Sequence, residues 1–520
     1  MPEPFYITTA INYPNGRPHV GHAYEAIATD AIARSHRLSG RDVFFLTGTD
    51  EHGLKMAQAA RERGVEPAEL ANEMSSIFRA LDEQLHISFD RFIRTTEPEH
   101  HRASQAIWQA MAARGDLYLG RYEGWYSVRD EAYYDEEELV PGEGGEKLSP
   151  HGAPVEWTVE ESWFFRLSAY QDRLLAHYAA NPDFIRPESR RNEVLRFVEG
   201  GLSDLSVSRT SFDWGVEVPG SGDHVMYVWL DALTNYLTGV GYPDTESATY
   251  RRFWPADVHI IGKDVVRFHA VYWPAFLMSA GLPLPKQVFG HGHVLLRGEK
   301  MSKSTGNVVD PESLVDDFGV DAVRYFLLRD VTFGQDGSYS PEAIVARVNA
   351  DLANSFGNLA QRTLSFIAKN CGGALPAGGR RDAADGELLA LVRRATAEEL
   401  PARFSELALS QGIEAWIRAV FACNQYIDVQ APWALRKTDP ERMTAVLATL
   451  CEAIVDLAIA ISPVIPSGSA KLLDQMGVPA DERDFTVLGD TGRYARHAAA
   501  GFVLAPPAPI FPRLELPAEA

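Results

Sequence analysis

Residues 5–46 decide the fold class, and they read FYITTAINYPNGRPHVGHAYEAIATDAIARSHRLSGRDVFFL. The run Phe5–Thr9 is rich in β-branched and aromatic residues, and a loop of turn-forming residues follows it. From about His19 to Leu38 apolar residues recur at helical spacing, a Ser-Gly pair ends that pattern, and Asp42–Leu46 has the composition of a second strand. This order predicts a βαβ unit, and hence a parallel sheet with a ligand crevice at the carboxyl ends of its strands.

A second region, from about Gly120 to Val225, interrupts the α/β pattern with aromatic pairs and an acidic run. Patterns typical of buried strands return at Val225–Trp229 and at Val258–Gly262, which indicates an insertion between two halves of one α/β domain. From about Pro341 onward nearly all of the chain has helical periodicity. The sequence therefore predicts an α/β domain, an insertion within it, and a helical region after it.

Composition limits the classes of function. The 520 residues include 49 Lys and Arg against 71 Asp and Glu, a net charge of −22. Such a chain is a poor candidate for indiscriminate binding to nucleic acid or anionic membranes, although a local basic surface can still bind a nucleic acid. The three cysteines are widely spaced, which excludes a disulfide framework and indicates a reducing, cytoplasmic environment.

We expect no membrane segment. The stretch Met1–Ala10 lacks the basic start and apolar core of a signal peptide. The most apolar stretch, Ala445–Ile461, contains Glu452 and Asp456, which a bilayer span would not tolerate without partners. This stretch is therefore predicted to be a buried helix.

The first motif with chemical content is Pro18-His19-Val20-Gly21-His22, at the turn between the first strand and the first helix. The amino end of a helix offers unpaired backbone N–H groups and a partial positive charge, which suit a phosphate. Gly21 allows a nucleotide close to the backbone, and the imidazoles of His19 and His22 can donate hydrogen bonds to phosphoryl oxygens. By itself the motif is equally compatible with the start of a surface helix.

The second motif is Lys300-Met301-Ser302-Lys303-Ser304, in a polar loop between two glycines. Lys300 and Lys303 can neutralise the charge that develops on departing pyrophosphate, which is an electrostatic form of catalysis. A lone lysine-rich loop is usually only a solvated surface. Both motifs in one chain and in this order favour nucleotide chemistry.

The two motifs resemble the HIGH and KMSKS signatures of class I aminoacyl-tRNA synthetases, which bind ATP and stabilise the transition state for amino-acid activation. Further stretches resemble blocks of one family of that class, the methionyl-tRNA synthetases, and they occur in family order. They are Ala10-Ile11-Asn12-Tyr13, Thr47–Gly53, Tyr227–Ala232, Ile261–Asp264 and Arg267-Phe268-His269. The resemblance covers nearly all of the chain.

This resemblance implies a fold, namely an α/β Rossmann-type catalytic domain with an inserted connective domain, followed by an all-α helical-bundle anticodon-binding domain. The two halves of the catalytic domain are expected at residues 1–118 and 226–295, and the connective insertion at 119–225. The KMSKS loop and stem-contact region are expected at 296–355, and the anticodon-binding domain with a C-terminal extension at 356–520.

The resemblance also implies an activity. The expected reaction activates L-methionine with ATP to methionyl-adenylate and pyrophosphate, and then transfers methionine to tRNA(Met). His19, His22, Lys300 and Lys303 are the expected catalytic residues. The expected ATP-binding residues are these four together with Gly21 and Ser302.

By the same resemblance, ten residues line a methionine pocket. An unbranched thioether suits an aromatic, adaptable wall, because sulfur–ring contacts contribute about 0.3–1.5 kcal/mol. Asp50 is expected to accept a charge-assisted hydrogen bond from the α-ammonium. The other nine residues are Ala10, Ile11, Tyr13, Trp229, Ala232, Tyr236, Val265, Phe268 and His269. Without the resemblance the tryptophan and the second tyrosine would be interpreted as core residues, and the histidine as structural.

Many members of that family carry a zinc knuckle in the insertion. Here Ser127 and Asp130 stand where the family has cysteines, and Leu148–Gly152 offers only His151. Because structural zinc needs four Cys or His ligands, we predict no bound zinc, while Mg²⁺ is expected to bind with ATP through its phosphates. Aromatic residues are expected to hold the insertion together instead, and these are Trp157, Trp163, Phe164 and Phe165.

The helix predicted from about Ile344 to Ile367 has one apolar and one polar face. The polar face is predicted to carry Asp351, Asn354, Asn358 and Arg362. Together with Trp433, the last two resemble the anticodon-reading residues of the family. A splayed base can stack on the tryptophan and be read by the amide and guanidinium groups, although a solvated polar face is the simpler interpretation without the resemblance.

Three other functions stay open at this point. A synthetase for cysteine or leucine is disfavoured, since zinc-binding cysteines and an insertion of editing size are both lacking. A non-catalytic tRNA-binding scaffold is disfavoured by the intact motif residues, and a small-molecule adenylyltransferase would not need the long helical region. The expected partners are L-methionine and tRNA(Met), and we expect a monomer without a membrane partner.

Overall fold

The amino-terminal part folds as the predicted strand–helix–strand unit and extends it. The computed structural model describes residues 2–130, 132–142, 145–298, 309–490 and 492–517. The second strand runs three residues farther than predicted, to Thr49, and the first helix begins at Val20 with His19 as its N-cap. The elements of this part are β1 (Pro4–Thr9), α1 (Val20–Leu38), β2 (Asp42–Thr49), α2 (Leu54–Arg63), α3 (Pro67–Gln84), β3 (Arg91–Arg94) and α4 (Pro98–Ala113).

The insertion is built on two long antiparallel strands, β4 and β8, paired from Leu117 and Phe165 to Tyr126 and Glu156. Its elements are β4 (Leu117–Ser127), β5 (Ala132–Tyr134), β6 (Val140–Pro141), β7 (Lys147–Leu148), β8 (Glu156–Phe165), α5 (Gln171–Ala180), β9 (Ile185–Arg186), α6 (Glu188–Glu199), β10 (Leu205–Ser206), β11 (Ser208–Arg209), β12 (Glu217–Val218) and β13 (Ser221–Met226).

The aromatic residues expected to hold the insertion differ in burial. Phe165 is fully buried, and Trp163 and Phe164 are partly buried. Trp157 is 52% exposed and contacts the Trp125 ring edge-on, with 5.2 Å between ring centroids. The expectation was wrong for Trp157, because this residue lies on the solvent face of the paired strands.

After the insertion the chain returns to the α/β domain. The strand predicted at Val225–Trp229 is wrong in its second half, since β13 ends at Met226 and a helix begins at Val228. A short apolar run looks the same whether it becomes a buried strand or a buried helix. The elements are α7 (Val228–Thr238), α8 (Ala248–Phe253), β14 (Val258–Gly262), α9 (Trp273–Ala280), β15 (Val288–His291), β16 (Val294–Leu296), α10 (Pro311–Phe318), α11 (Val320–Asp330) and β17 (Gly337–Tyr339).

The central sheet has six strands in the order β3-β2-β1-β14-β15-β9, and every neighbouring pair is parallel. The carboxyl ends of these strands therefore meet along one edge, as the βαβ pattern predicts. β9, only two residues long, comes from the insertion and joins the sheet beside β15. Part of the insertion thus belongs structurally to the α/β domain, and the domain boundaries stay predictions.

The remainder of the chain is helical, as predicted. A π-helical segment, Asn349–Gly357, joins its first two helices into one continuous rod. The helices are α12 (Pro341–Val348), α13 (Asn358–Asn370), α14 (Ala383–Arg393), α15 (Leu400–Ser405), α16 (Leu409–Gln430), α17 (Pro432–Thr438), α18 (Pro440–Ile461), α19 (Pro466–Gln475) and α20 (Arg493–Ala499).

Helix α18 is the core of this region. Within the described ranges it is the one helix long and apolar enough to cross a membrane, and 94% of its apolar window is buried inside the protein. The two carboxylates within its apolar stretch have cationic partners, since Glu452 pairs with Arg381 at 2.7 Å and Asp456 pairs with Arg493. The predicted buried helix is confirmed.

A fully buried arginine joins the helical region to the α/β domain. Arg324 of α11 donates to Asp30 of α1 at 2.6 Å, and also to the backbone carbonyls of Leu85, Pro463 and Val464. A buried guanidinium is stable only when its hydrogen bonds are satisfied, and here they come from three different parts of the chain. This contact fixes α1, whose amino end faces the crevice, against the helical region.

Candidate active site

A cavity of about 780 Å³ opens at the carboxyl ends of β1, β2, β14 and β15. It brings together all ten residues expected to line a methionine pocket and the first motif. The lining includes Ala10, Ile11, Tyr13, His19, Gly21, His22, Asp50, Trp229, Ala232, Tyr236, Val265, Phe268 and His269. The predicted residues, up to 259 positions apart from Ala10 to His269, thus share one site, although their individual roles remain predictions.

The two histidines of the first motif are held by the amino end of α1. The Nδ1 atom of His19 accepts a hydrogen bond from the Gly21 N–H at 3.0 Å, and the Nδ1 atom of His22 accepts one from the His19 N–H at 3.0 Å. Their rings stack with 3.8 Å between centroids. Because each Nδ1 is an acceptor, the proton of each neutral ring lies on Nε2, which makes Nε2 a donor as a phosphate site requires.

Aromatic rings form one wall of the cavity. Trp229 of α7 stacks on Phe268 with 3.8 Å between ring centroids and 5° between planes. Phe268 begins a π-helical turn, Phe268–Tyr272, which leads directly into α9. π-Helical turns often occur at functional sites, where they redirect side chains. The stacked rings offer a flat, polarizable surface to an apolar ligand.

Tyr236 and His269 form a buried polar pair at this wall, with 2.6 Å between the tyrosine oxygen and Nε2. The His269 Nδ1 atom lies 2.9 Å from the Val265 carbonyl, which can only accept, so Nδ1 carries the proton. Burial lowers the pKa of His269 to about 4, and the ring is therefore neutral near pH 7. Tyr236 must then donate to Nε2, and the pair carries no net charge.

Asp50 stands at the end of β2 and is 6% exposed. Its backbone N–H donates to the Asn12 carbonyl at 2.8 Å, and the Asn12 N–H donates to the Gly48 carbonyl at 2.8 Å. A Cβ at Gly48 would lie 1.9 Å from the Ile93 carbonyl oxygen, so only glycine allows β2 this close to β3. These contacts fix a buried carboxylate beside the loop that precedes α1.

Sequence reasoning missed several polar residues of the cavity. Glu25, one turn beyond His22 on α1, accepts from the Ala10 N–H at 3.0 Å and lies 2.8 Å from the His291 Nε2 atom. His293, which also lines the cavity, pairs with Asp264 at 2.7 Å. His291 ends the buried strand β15 and His293 follows it, and polar residues at the carboxyl end of a buried parallel strand were the available signal.

Comparison with known proteins identifies the family. The family model of class I (M) tRNA synthetases matches residues 5–364, and that of the anticodon-binding domain of methionyl tRNA ligase matches 375–516. The chain is 58% identical to the methionine–tRNA ligase of Mesorhizobium japonicum over 98% of both chains. Mycobacterium tuberculosis methionyl-tRNA synthetase, solved in complex with methionyl-adenylate, matches with a TM-score of 0.95 and 56% identity over 98% of this chain and 100% of that one. The chain belongs to the methionyl-tRNA synthetases.

Membership of the methionyl-tRNA synthetases confirms the resemblance and the predicted fold class. The chain is also 56% identical to the methionine–tRNA ligase of Rhizobium meliloti over 99% of both chains. The chain is thus an aminoacyl-tRNA synthetase, and the two family models together cover most of its length. Lys300, Ser302 and Lys303 of the second motif lie outside the described residues.

The tip of the insertion, which carries Asp130 and is the segment where the sequence predicts no zinc knuckle, closes one side of the cavity. The Ser127 hydroxyl accepts from the Asp130 N–H at 3.2 Å, and the Ser149 hydroxyl donates to the Asp130 carboxylate. Although burial alone raises the pKa of Asp130, hydrogen bonds from Ser149 and Arg129 outweigh it and keep the pKa below its usual value. Among the described residues no group of three or more His, Cys, Asp or Glu side chains could hold a metal ion.

The residues expected to read the anticodon lie on one surface of the helical region, which we call the anticodon patch (Asn358, Arg362 and Trp433). The Arg362 guanidinium lies over the Trp433 ring, 5.4 Å from its centroid, and donates to Asp428 at 2.7 Å. Trp433 is 47% exposed, and Asn358 is exposed one turn before Arg362. The structure brings the three residues together but does not test their role.

Asp351, which was expected on the same polar face, is buried instead. It accepts a hydrogen bond from the Tyr325 hydroxyl at 2.9 Å and lies within 4 Å of Arg329 and Arg347. The π-helical segment Asn349–Gly357 adds a residue per turn and rotates the faces of the rod at this point. The expectation was therefore wrong for Asp351, and this residue serves the core.

Proposed function

We propose that the chain activates L-methionine with ATP, forming methionyl-adenylate and pyrophosphate, and then transfers methionine to tRNA(Met). One observation carries this proposal. A single cavity holds an aromatic wall with a buried carboxylate and, beside them, a helix amino end with two imidazole donors. The first group of residues suits an apolar amino acid, and the second suits the phosphates of a nucleotide.

In the proposed reaction the carboxylate of methionine attacks the α-phosphorus of ATP, and pyrophosphate leaves. The Nε2–H groups of His19 and His22 donate to phosphoryl oxygens as charge accumulates there, and Gly21 lets the nucleotide approach α1. Lys300 and Lys303, with Ser302, are proposed to neutralise the departing pyrophosphate. The protein performs no covalent chemistry in this step, so positioning and electrostatics supply the acceleration.

Methionine is proposed to bind by both of its ends. Asp50 accepts from the α-ammonium, and the thioether lies against Trp229 and Phe268 near the neutral pair of Tyr236 and His269. A neutral environment suits an uncharged thioether and disfavours side chains that carry charge. Ala10, Ile11, Tyr13, Ala232 and Val265 complete the proposed pocket.

The tRNA is proposed to bind with an anticodon base stacked on Trp433 and read by Asn358 and Arg362. An exposed indole beside a guanidinium supports this proposal, because unpaired bases in RNA are commonly recognised by stacking and by hydrogen bonds to their edges. The net charge of −22 means that recognition depends on a few local contacts.

Mg²⁺ is proposed to enter with ATP, bound through the phosphates, and we propose that the chain holds no zinc and acts as a monomer in the cytoplasm. The hydrogen bonds among Ser127, Asp130 and Ser149 support the zinc-free proposal, since they join the segments that a zinc ion would join. Metal analysis of the purified protein should find far less than one zinc per chain. One zinc per chain would contradict the proposal.

ATP–pyrophosphate exchange across the twenty amino acids, followed by charging of tRNA(Met), tests the proposed function. We expect exchange with methionine and then charging. Exchange with a different amino acid would point to another synthetase. The absence of any exchange, with tRNA binding retained, would favour a non-catalytic scaffold.

A further inference from the structure

A buried cluster behind the aromatic wall plays no part in the chemistry above. Asp231 of α7 is fully buried and lies 2.6 Å from His52 Nδ1 through one oxygen and 2.6 Å from His100 Nε2 through the other. His52 follows β2 and His100 belongs to α4, so one carboxylate joins three separate elements. Burial by itself raises the pKa of Asp231, but the two imidazoles outweigh it and hold this pKa far below its usual range.

The position of the cluster relates it to the cavity. Asp231 lies two residues after Trp229 and directly before Ala232, and His52 lies two residues after Asp50. The backbone carbonyl of His52 also accepts a hydrogen bond from the Tyr13 hydroxyl at 2.7 Å. The cluster therefore connects the aromatic wall, the end of β2 and the loop before α1.

We infer that Asp231 is a positioning residue for the part of the cavity proposed to bind methionine, which we call the amino-acid half. Through its hydrogen bond with His52, Asp231 fixes the position of the aromatic wall on α7 relative to Asp50 and Tyr13. His100 fixes the second oxygen and so the rotation of the carboxylate, and its own ring contacts Thr238 on α7 at 3.0 Å. The inference rests on the proposed function, because it assigns the cluster to the binding of methionine. None of these three side chains lines the cavity.

The test uses the full chain in methionine-dependent ATP–pyrophosphate exchange. Asp231→Asn keeps the shape and removes the charge, and we expect the KM for methionine to rise about tenfold or more while the KM for ATP changes less than about threefold. Asp456→Asn is the matched control, since it also neutralises a buried carboxylate, but that carboxylate pairs with Arg493 and lies in α18. Its KM for methionine should equal that of the wild type.

A second pair of variants separates positioning from folding. In His52→Asn the amide nitrogen takes the place of Nδ1 and can still donate to Asp231, whereas His52→Leu cannot. We expect a KM for methionine within about threefold of wild type for the first and about tenfold higher for the second, with the Asp231→Asn/His52→Leu double variant no worse than the poorer single variant. Thermal unfolding of each variant shows that it is folded.

Equal changes in the two KM values, additive effects in the double variant, or wild-type values for His52→Leu would overturn the inference. These results are distinguishable from a failure of the proposed function. In that case the wild-type chain itself would show no exchange with methionine.

Discussion

The amino-acid half of the cavity and the anticodon patch differ in burial. Tyr236 and His269 are buried, neutral and bonded to each other. In the anticodon patch, Trp433 is about half exposed, and Arg362 donates a hydrogen bond to the exposed carboxylate of Asp428. A small apolar ligand gains affinity mainly from walls that are built in advance, whereas a nucleic-acid base brings its own stacking surface to an exposed ring. We therefore expect a substitution in the amino-acid half to reduce methionine activation, and a substitution in the anticodon patch to reduce tRNA charging without reducing activation.

The largest effect is expected from Asp50→Asn. Loss of the buried charge removes the proposed partner of the α-ammonium, and unpairing a buried charge costs about 2–5 kcal/mol. The kcat/KM for methionine in ATP–pyrophosphate exchange should therefore fall about 100- to 1,000-fold. Asp82→Asn is the control, since Asp82 is buried away from the cavity and burial raises its pKa to about 8. A loss below about tenfold for Asp50→Asn would contradict its proposed role.

A smaller effect is expected from Trp433→Ala. Stacking of one base on an aromatic ring contributes about 1–3 kcal/mol, so kcat/KM for tRNA(Met) charging should fall about 10- to 100-fold. Exchange with methionine should stay at the wild-type level. Trp157→Ala removes a tryptophan of similar exposure from the insertion and should change neither activity. Equal losses in exchange and charging for Trp433→Ala would break the comparison.

The smallest effect concerns stability and pH. Because burial lowers the pKa of His269 to about 4, the unfolded chain takes up a proton near pH 6.5 while the folded chain does not, and stability falls as the pH drops from 6.5 towards 4. At pH 5 this amounts to about 2 kcal/mol. His269→Gln should lose less stability between pH 7 and pH 5 in urea unfolding. Parallel pH profiles for the two proteins would contradict a neutral, buried His269.

Much of the fold could be predicted from local patterns. β1, α1 and β2 have strong periodicity and clear end signals, and their prediction needed small changes at the ends. β9 could not be predicted, because its two residues, Ile185 and Arg186, carry no periodic signal and gain their place only from β15. The run from Val225 to Trp229 was ambiguous for a related reason, since burial on all sides hides the difference between strand and helix.

The cavity shows the same limit. The part of its lining that lies in motifs could be predicted from the sequence, because each motif keeps its residues close together in the chain, whereas Glu25, His291 and His293 were missed. The cluster of Asp231 with His52 and His100 could not, since its members are 179 and 131 positions apart and no local pattern marks them. Likewise, the position of Asp351 in the sequence places it on the predicted polar face of the helix, and only tertiary contacts show that it is buried.

The ratio of tRNA(Met) charging to methionine-dependent ATP–pyrophosphate exchange tests the central claim most directly, when measured for wild type, Asp50→Asn and Trp433→Ala side by side. We predict that the ratio falls about 10- to 100-fold in Trp433→Ala, where only the base stack is lost. In Asp50→Asn we predict that exchange itself collapses and that charging falls with it. An unchanged ratio in Trp433→Ala, or full exchange in Asp50→Asn, would contradict the account.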